Sequence, residues 1–426
     1  MAAEFPRARA RVPVRADFLL TGISQLVTCA GTGADMLGTI DDAALAAHQG
    51  LIVWCGPAST VASNVQLASD ALDLDAGDRL VLPGLVDSHA HLVYAGLRAD
   101  EQAARLAGQP YDPLPGQGRG IQRSINATRA SSSDELLALS LRRVNRMASY
   151  GTTTVEAKTG YGCDLESELR SLEVIARLQE KTALHVVATL LAAHVVPEEQ
   201  ANRRTEYVEM VVRDLLPRAR DMARFCDVWC DPGAFDAAEA RLILSEAKRL
   251  GYRLKLHASE LDFGPGPALG VELGATSIDH VDYLSDADIE ALAGGSTVAV
   301  VLPGTCFSLQ MALRPPVRTM LSRGIAVALA SDLNPGTCYC ENLQMMVVLA
   351  THEMGMTPEE AILGVTLRGA QALSMDNQVG SLVVGKHCDL VVFDAESYLE
   401  LPYHFGGNLV LATVVAGQVV SGGLGA

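Results

Sequence analysis

The chain has 426 residues, of which 49% are hydrophobic and 19% are charged. This composition supports a sizeable core and excludes a generally disordered protein. The 33 basic and 50 acidic residues give a net charge of −17. Because nucleic acids and anionic membrane surfaces are themselves negatively charged, we expect neither as a partner, and an anionic substrate would need a local basic group.

The chain shows no pattern typical of membrane or secreted proteins. Its longest apolar stretches, such as Leu184–Pro197, are too short for a transmembrane helix. The N-terminus lacks the apolar segment of a secretory signal. The nine cysteines are scattered without zinc-finger spacing, which indicates reduced thiols and favours a cytoplasmic location.

Residues 1–82 begin the chain with predicted strands. Short runs rich in β-branched residues, Asp17–Thr28 and Gly50–Val53 among them, are separated by Gly, Asn and Asp. This alternation is typical of strands and turns. We expect the segment to be the N-terminal part of a β domain.

From about residue 80, and through the segment 83–376, an apolar run, a polar loop and an amphipathic helix alternate repeatedly. Eight apolar runs are predicted strands: Leu80–Asp87, Thr152–Lys158, His185–Ala193, Cys226–Cys230, Arg253–His257, Ala275–Asp279, Ser296–Leu302 and Ile325–Ser331. Such repeated units predict parallel strands joined by helical crossovers. Eight of them are typical of a TIM (β/α)8 barrel, and a doubly wound open sheet is the alternative.

Helix starts in the same segment carry capping residues. Ser132 with Glu135, and Asp236 with Glu239, have the spacing of a capping box. Thr357–Glu360 places a cap, a proline and an acid in series. These signals predict three helix N-termini.

Residues 377–426 return to the strand pattern of the N-terminal segment. The predicted runs are Gly380–Lys386, Asp389–Phe393 and Leu409–Val420. Strands from both chain ends can pair with each other. We therefore predict an α/β protein in which a TIM barrel, residues 83–376, carries a small β-sandwich domain built from residues 1–82 and 377–426.

Five of the ten histidines follow predicted strands, where a TIM barrel places its chemistry: His89, His91, His194, His257 and His280. His89 and His91 are two residues apart, so both rings point to the same side of a strand. With His257 and Asp332, which end two other strands, they are three imidazoles and a carboxylate, a set suited to one Zn²⁺ or Fe²⁺ ion. Such an ion lowers the pKa of a bound water toward about 7. The alternative is a group of core histidines with structural hydrogen bonds.

Three further residues at the strand ends suit acid–base and polar chemistry. Asp332 could take a proton from water besides holding an ion. His280 is suited to stabilising an oxyanion, or alternatively to a supporting hydrogen bond with Asp279 or Asp282. Glu260 could hydrogen-bond a ring N–H of a substrate, or be a surface loop residue.

An arginine lies in the loop after the first predicted barrel strand. Arg98 follows His91 by seven residues. Arginine binds carboxylates in a bidentate way, and in so acidic a chain this position indicates a small anionic substrate. Taken alone, it could equally be a solvated loop charge.

Two motifs end the first and the last predicted barrel strands. They are Pro83-Gly-Leu-Val-Asp-Ser-His-Ala-His91 and Ser331-Asp332. Further motifs occur along residues 20–420: Arg98, Gln117–Ile121 with Thr128-Arg129, Lys158–Gly162, Ala192–His194, Asp227–Phe235, Leu256–Leu261, Ser331–Thr337 and Tyr403–Gly407. Together they resemble the amidohydrolase superfamily and, more closely, its imidazolonepropionase family.

The resemblance implies a cofactor, a set of contacts and a reaction. One zinc or iron ion would be held by His89, His91, His257 and Asp332. The substrate would meet Arg98, Tyr161, His194 and Glu260, and the product also Asn334, Gly336 and Thr337. The implied reaction is hydrolysis of 4-imidazolone-5-propanoate to N-formimidoyl-L-glutamate in histidine degradation. Asp332 would pass a proton to the leaving nitrogen, His280 would hold the oxyanion, and Glu260 and His194 would orient the ring.

Two alternatives to this function stay open. Loops 262–267 and 304–310 differ from the expected family pattern, so an amidohydrolase of a related ring, such as a hydantoin or a thio-imidazolone propanoate, is the first. Arg98 and Tyr161 argue against a neutral purine. A non-catalytic binding barrel is the second, although no metal ligand or base is missing. We also expect a homodimer, a common state of soluble enzymes.

Overall fold

The computed structural model describes residues 13–109 and 119–425, which form two sheets. The strands are β1 (Val14–Val27), β2 (Thr39–His48), β3 (Leu51–Pro57), β4 (Val65–Pro83), β5 (Leu85–Asp87), β6 (Thr152–Lys158), β7 (His185–Ala193), β8 (Phe225–Cys230), β9 (Arg253–Ala258), β10 (Ser277–His280), β11 (Val298–Val301), β12 (Val327–Leu329), β13 (Leu390–Phe393), β14 (Val410–Val415) and β15 (Gln418–Gly422). Residues Gln117 and Gly118 of the motif before Ile121 lie outside the described residues.

Helices cover the barrel and connect its strands. They are α1 (Val61–Asn64), α2 (Ala99–Leu106), α3 (Ile121–Ala130), α4 (Ser133–Ser149), α5 (Leu165–Lys181), α6 (Arg204–Met210), α7 (Leu216–Ala219), α8 (Ala237–Arg249), α9 (Gly266–Leu273), α10 (Asp286–Ala293), α11 (Pro303–Ser308), α12 (Val317–Ser322), α13 (Leu343–Glu353), α14 (Pro358–Gly364), α15 (Leu367–Ala372) and α16 (Glu400–Tyr403). Two 3₁₀ segments, Ala58–Thr60 and Glu198–Arg203, and one π segment, Val211–Leu215, complete them.

The eight strands β5 to β12 pair in chain order, each parallel to the next. The segments that follow β5 and β12 close the ring. The Asp332 amide donates to the His89 carbonyl at 3.0 Å, and the His91 amide donates to the Leu333 carbonyl at 2.9 Å. The predicted TIM barrel is therefore confirmed, and its closure brings the His-x-His segment beside Asp332.

The second sheet has seven strands in the order β15-β14-β13-β4-β1-β2-β3, so it takes strands from both chain ends, as predicted. The long strands β1 and β4 run parallel and shift register at several points, which lets the sheet bend. Side chains such as Leu20, Leu45 and Leu390 form an apolar core of its own, separate from the barrel core. The domain limits at 82/83 and 376/377 stay predictions.

Two strand predictions were wrong in part. One is at the start of the barrel, and the other is in the C-terminal segment. Leu80–Asp87 is not one barrel strand, because Leu80 and Leu82 pair with β13 in the other sheet. The chain changes sheet at Gly84, where a Cβ would lie 2.1 Å from the Thr153 hydroxyl oxygen. Gly380–Lys386 forms no strand, although it contacts the sheet at two points. The Leu382 amide donates to the Thr28 carbonyl, directly after β1, at 2.8 Å. Ile52 of β3 donates to the Lys386 carbonyl at 2.8 Å and accepts from the Gly385 amide at 2.9 Å.

The predicted run Leu409–Val420 is a hairpin rather than one strand. Ala416 and Gly417 separate β14 from β15, with φ of 47° and 76°. Positive φ at both central residues is the requirement of a two-residue hairpin turn. The three predicted helix N-termini are the starts of α4, α8 and α14, and each of them carries a capping box.

The predictions of reduced cysteines and of no transmembrane helix can be compared with the described residues. All nine cysteines lie in the described part of the chain, and none forms a disulfide. Among helices of that same part, none has the combined length and apolar character that crossing a bilayer requires.

A partly buried ion pair joins the barrel to the second sheet. His185 Nε2, at the start of β7, lies 2.9 Å from Asp389 Oδ2, whose other oxygen accepts from the Ala416 amide. The His387 ring packs against His185 with 5.0 Å between centroids. Burial disfavours the protonated ring, but the hydrogen bond and charge of Asp389 outweigh it and raise the pKa of His185 above its usual value.

We expect this ion pair to stabilise the protein more at acidic than at alkaline pH. Because the folded pKa is raised, its contribution is fully present below the unfolded value of about 6.5 and is lost as pH rises through the folded value. Relative to wild type, His185→Gln should lower the free energy of unfolding by about 1 kcal/mol more at pH 5.5 than at pH 8.5. Urea unfolding at both pH values measures this, with His352→Gln as an exposed control. Equal losses at the two pH values would contradict it.

Candidate active site

A cavity opens at the carboxyl ends of the barrel strands and encloses about 410 Å³, counting its mouth. It is lined by His91, Arg98, Ile121, Tyr161, His194, Trp229, His257, Glu260, His280, Asp332, Asn334, Gly336 and Thr337. Every site residue predicted from the sequence is in this group except His89, which lies directly behind it and is fully buried. The barrel thus brings the whole predicted set to one place.

Three imidazoles and one carboxylate converge at the bottom of the cavity. Asp332 Oδ1 lies 3.5 Å from His89 Nε2 and 3.8 Å from His91 Nε2. The rings of His89 and His257 have centroids 4.4 Å apart. Within the described residues, His89 Nε2 and His257 Nε2 are buried without a hydrogen-bond partner, which is costly unless a ligand meets them. These donors fit one divalent cation.

His280 adds a further nitrogen beside this cluster. Its donor atom lies within 4.8 Å of those of His89 and His257. Its Nε2 is 3.6 Å from Glu260 Oε2, and its Nδ1 is 3.8 Å from Asp282 Oδ2, both too long for a good hydrogen bond. The predicted contact of His280 with an oxyanion stays a prediction. The alternative of a supporting hydrogen bond to Asp279 or Asp282 also stays a prediction.

Two aspartates lie beneath the imidazoles. Asp279 Oδ2 makes a hydrogen bond of 2.7 Å with His89 Nδ1. This carboxylate holds the proton at Nδ1, so Nε2 of His89 is left as the ligating nitrogen. Asp227 Oδ2 lies 2.9 Å from His257 Nδ1 without the geometry of a hydrogen bond, so it acts on this ring through its charge.

Beneath these rings lies a buried charge network, namely Glu156, Lys158, Asp227, Lys255 and Asp279, all with fully buried side chains. Lys158 Nζ lies 2.6 Å from Asp227 and 3.0 Å from Glu156. Lys255 Nζ lies 2.9 Å from Glu156 and 3.4 Å from Asp279. The network holds three carboxylates and two ammonium groups, an excess of negative charge that favours a cation above it.

The opposite charges in this network keep Lys158 and Asp279 ionised despite their burial. Burial alone would lower the pKa of Lys158, but Asp227, Glu156 and Asp279 outweigh it and raise that pKa. Burial alone would raise the pKa of Asp279, but Lys255 and Lys158 hold it below its usual value. Asp279 therefore stays ionised as the hydrogen-bond acceptor of His89.

Burial keeps the histidines of the site neutral. It lowers the pKa of His89, His91 and His257, as metal ligation requires. It also lowers the pKa of His194 to about 4 and that of His280 to about 3.

The two acids of the site differ in their partners. Burial raises the pKa of Asp332 to about 7 against the opposing hydrogen bond of Thr305, whose hydroxyl donates to Asp332 Oδ2 at 2.6 Å. A cation at the imidazoles would favour the ionised form of Asp332. Burial, followed by repulsion from Asp231 and Asp332, raises the pKa of Glu260 well above its usual value. A protonated Glu260 can donate as well as accept a hydrogen bond.

Arg98, in the segment between β5 and α2, reaches the cavity beside the loop that follows β12. Arg98 is 5% exposed, and its Nη1 lies 2.5 Å from the place where a Cβ on Gly336 would be. Asn334 Oδ1 accepts hydrogen bonds from the amides of Gly336 and Thr337, each 2.8 Å long. Asn334 therefore shapes the loop, and the absence of a side chain at Gly336 leaves room for the guanidinium.

Aromatic rings form the opposite wall. His194 stacks on His91 with 5.2 Å between centroids, and Tyr161 meets both rings edge-on at 5.4 and 5.5 Å. The Trp229 ring lies 5.7 Å from His194. These flat surfaces suit a small planar ring.

The backbone at the strand ends is strained. Ser259, His280, Val281 and Asp332 have φ of 57°, 79°, 53° and 49°, in a region that residues with a side chain rarely adopt. Such strain persists where surrounding structure holds it, and it concentrates at functional sites.

Sequence reasoning missed the buried charge network and Thr305. A signal was present, because charged residues recur at alternate positions of otherwise apolar strands, as with Glu156 and Lys158 or Lys255 and His257. In a strand, alternate side chains share one face. Inside a barrel that face is the interior, so these residues had to meet.

We expect Asp279 to strengthen metal binding through His89. Asp279→Asn removes the carboxylate at Nδ1 and leaves Lys158 and Lys255 short of negative charge. Loss of such a partner weakens metal affinity by about 10- to 100-fold. Competition for zinc with a chromogenic chelator measures this, with Asp134→Asn as a control because the Asp134 side chain is 84% exposed. An affinity equal to that of the control would refute the role of Asp279.

A profile of the amidohydrolase family matches residues 80–420. The chain is 43% identical over 418 residues to an imidazolonepropionase of Porphyromonas gingivalis, covering 96% of this chain and 98% of the relative. It is 44% identical over 396 residues to an imidazolonepropionase of Salinispora tropica, covering 92% and 96%.

Solved structures with little sequence identity share the fold. An adenosine deaminase from Xanthomonas campestris with bound zinc superposes with a TM-score of 0.69 at 18% identity, covering 96% of this chain and 93% of the other. At this identity the similarity concerns the fold alone.

Proposed function

The chain belongs to the amidohydrolase family, and on that premise we propose that it hydrolyses 4-imidazolone-5-propanoate to N-formimidoyl-L-glutamate. One water is added, the bond between the ring carbonyl carbon and its nitrogen breaks, and that carbon becomes a carboxylate. The observation that carries this proposal is a buried arginine, Arg98, in the same small cavity as a cluster of three imidazoles and a carboxylate. The full-length similarity to imidazolonepropionases supports it.

The cavity suits a ring with an anionic tail. Arg98 offers a guanidinium to a carboxylate, and Tyr161, His194 and Trp229 offer flat surfaces to the ring. A hydantoin or thio-imidazolone with the same propanoate tail would use the same contacts. Imidazolone propanoate is favoured over them because the relatives that match along the whole chain bear that name.

We propose that one ion, zinc or iron, is held by Nε2 of His89, His91 and His257 and by Asp332 Oδ1. When bound, the ion supplies a Lewis acid that polarises the carbonyl and lowers the pKa of water. The excess negative charge below the rings supports binding of a cation. Three imidazoles and a carboxylate do not discriminate between the two metals.

The chain's own residues position the substrate and move the protons. Asp332 Oδ2 accepts from Thr305 and Thr337 at 2.6 and 3.3 Å, so the carboxylate is held with Oδ1 toward the imidazoles. Asp332 takes a proton from the attacking water and passes it to the leaving ring nitrogen. His280, neutral in this site, donates to the developing oxyanion.

Arg98 and Glu260 fix the substrate at its two ends. The guanidinium binds the propanoate carboxylate, and the protonated Glu260 carboxyl hydrogen-bonds a nitrogen of the ring. His194 meets the same ring through the nitrogen that is not bonded to Gly160. The bond to be cleaved is thereby held over the imidazole cluster.

A coupled assay tests this function. Urocanase generates the unstable imidazolone propanoate in place, and its ultraviolet absorbance is followed as formimidoylglutamate accumulates. We expect rapid turnover by wild type. We expect Arg98→Ala to lower kcat/KM by an amount equivalent to about 2–5 kcal/mol of transition-state stabilisation, because the buried propanoate carboxylate of the substrate loses its partner. Arg123→Ala, an exposed arginine paired with Asp100, is the control.

Absence of turnover by metal-replete wild type would contradict the proposed substrate. The related rings with a propanoate tail would then be tested, and loops 262–267 and 304–310 would be the first places to examine. The expected homodimer and the expected lack of nucleic-acid and membrane partners stay predictions.

A further inference from the structure

A buried carboxylate holds the loop that carries Tyr161. Glu168, in the first turn of α5, is fully buried. Its Oε1 accepts hydrogen bonds from the amides of Gly160, Gly162 and Cys163, at 3.2, 2.8 and 2.9 Å. Because three amides of one short loop donate to the same oxygen, this side chain is the centre around which the loop folds.

The other side of the same loop is held by an arginine. Arg129 Nε donates to the Gly162 carbonyl at 2.6 Å, and its Nη2 donates to the Cys163 carbonyl at 2.9 Å. The carboxylate therefore binds the amides, and the guanidinium binds the carbonyls. We call Glu168 and Arg129 together the loop clamp.

The glycines of the loop make this close packing possible. A Cβ on Gly162 would lie 2.8 Å from Glu168 Oε1, and a Cβ on Gly160 would lie 2.8 Å from the Leu191 carbonyl. Gly160 also has φ of 104°, which only glycine adopts readily. The clamp therefore explains the glycine at 162, whereas the close approach of Leu191 and the positive φ explain the glycine at 160.

The clamped loop controls two groups that face the cavity. Tyr161 lies between the two glycines, and its ring contacts His91 and His194. The Gly160 carbonyl lies 3.0 Å from His194 Nδ1. A carbonyl only accepts, so Nδ1 carries the proton, and Nε2 is the ring nitrogen left to meet a ligand.

We propose that Glu168 and Arg129 are positioning residues for substrate binding, which set the place of Tyr161 and the tautomer of His194. Neither residue lines the cavity, so both act through the loop. This inference rests on the proposed function for the identity of the substrate, although the geometry of the loop is independent of it.

The variants Glu168→Gln and Arg129→Gln test the clamp. An amide at 168 turns an NH₂ group toward amides that need an acceptor, and glutamine at 129 removes the two bonds to the carbonyls. Glu166→Gln is the matched control, because Glu166 lies on the same helix and its side chain is 77% exposed in a pair with Arg218. All variants are compared as zinc-loaded, full-length protein.

Binding of an unreactive probe, 3-(imidazol-4-yl)propanoate, is measured by calorimetry beside KM and kcat in the coupled assay. We expect both clamp variants to raise the dissociation constant and KM by about tenfold or more, with a smaller change in kcat, since misplaced contacts weaken binding of substrate and transition state alike. We expect the double variant to lose less than the sum of the two, because both act on one loop. The control should match wild type.

Two readouts need no turnover. Amide hydrogen exchange in residues 159–164 should become faster in the clamp variants, and ¹⁵N resonances of the His194 ring should show Nδ1 protonated in wild type but mixed tautomers in the variants. Faster exchange with an unchanged tautomer and an unchanged dissociation constant would overturn the proposal. If Glu168→Gln does not fold, Arg129→Gln alone tests the proposal. The Arg129 side chain is 23% exposed, so we expect its replacement to leave the fold intact.

The outcomes also separate this inference from the proposed function. Wild type that fails to hydrolyse imidazolone propanoate, while the variants still change the tautomer of His194, would refute the proposed function and leave the clamp in place. Normal turnover by both variants, with probe binding equal to that of Glu166→Gln, would refute the clamp and leave the proposed function in place.

Discussion

The contact of Lys158 with Asp227, Glu156 and Asp279 inside the barrel is the interaction on which the rest of the site depends. Buried charges are tolerated only when they are paired and hydrogen-bonded, and removing one partner is strongly destabilising. These ion pairs also act on the rings above them, because Asp279 lies 2.7 Å from His89 Nδ1 and Asp227 lies 2.9 Å from His257 Nδ1. The polar interior therefore fixes the direction in which the rings above it can bind a cation.

Above this charge network, the walls of the cavity are formed by loops that hydrogen bonds hold in place. Asn334 shapes the loop that leaves room for Arg98, and Glu168 with Arg129 shapes the loop that carries Tyr161. In both cases a side chain binds backbone groups of the loop, and a glycine allows close approach. Precision at a catalytic centre comes from such support, since an error of about 1 Å in placing a group can cost 100-fold in rate.

Much of this architecture could be predicted from the sequence, because local patterns determined it. The strand–helix alternation, the capping boxes and the histidines at the strand ends indicated a barrel and its catalytic end. The change of sheet at Gly84 could not be predicted, since Leu80–Asp87 is one apolar run and only tertiary pairing divides it. The role of Glu168 was hidden, because its partners are backbone amides that carry no sequence signal. The alternation of Glu156 and Lys158 indicated a shared face, but it did not indicate their partners on distant strands, Asp227 and Asp279.

We propose that three imidazoles and Asp332 bind one ion above the buried charge network. X-ray diffraction from crystals of the zinc-loaded protein, recorded at the zinc absorption edge, would locate this ion. We expect a single anomalous peak about 2.0–2.2 Å from Nε2 of His89, His91 and His257 and from an Asp332 oxygen. A peak elsewhere, or no peak between these atoms, would contradict it.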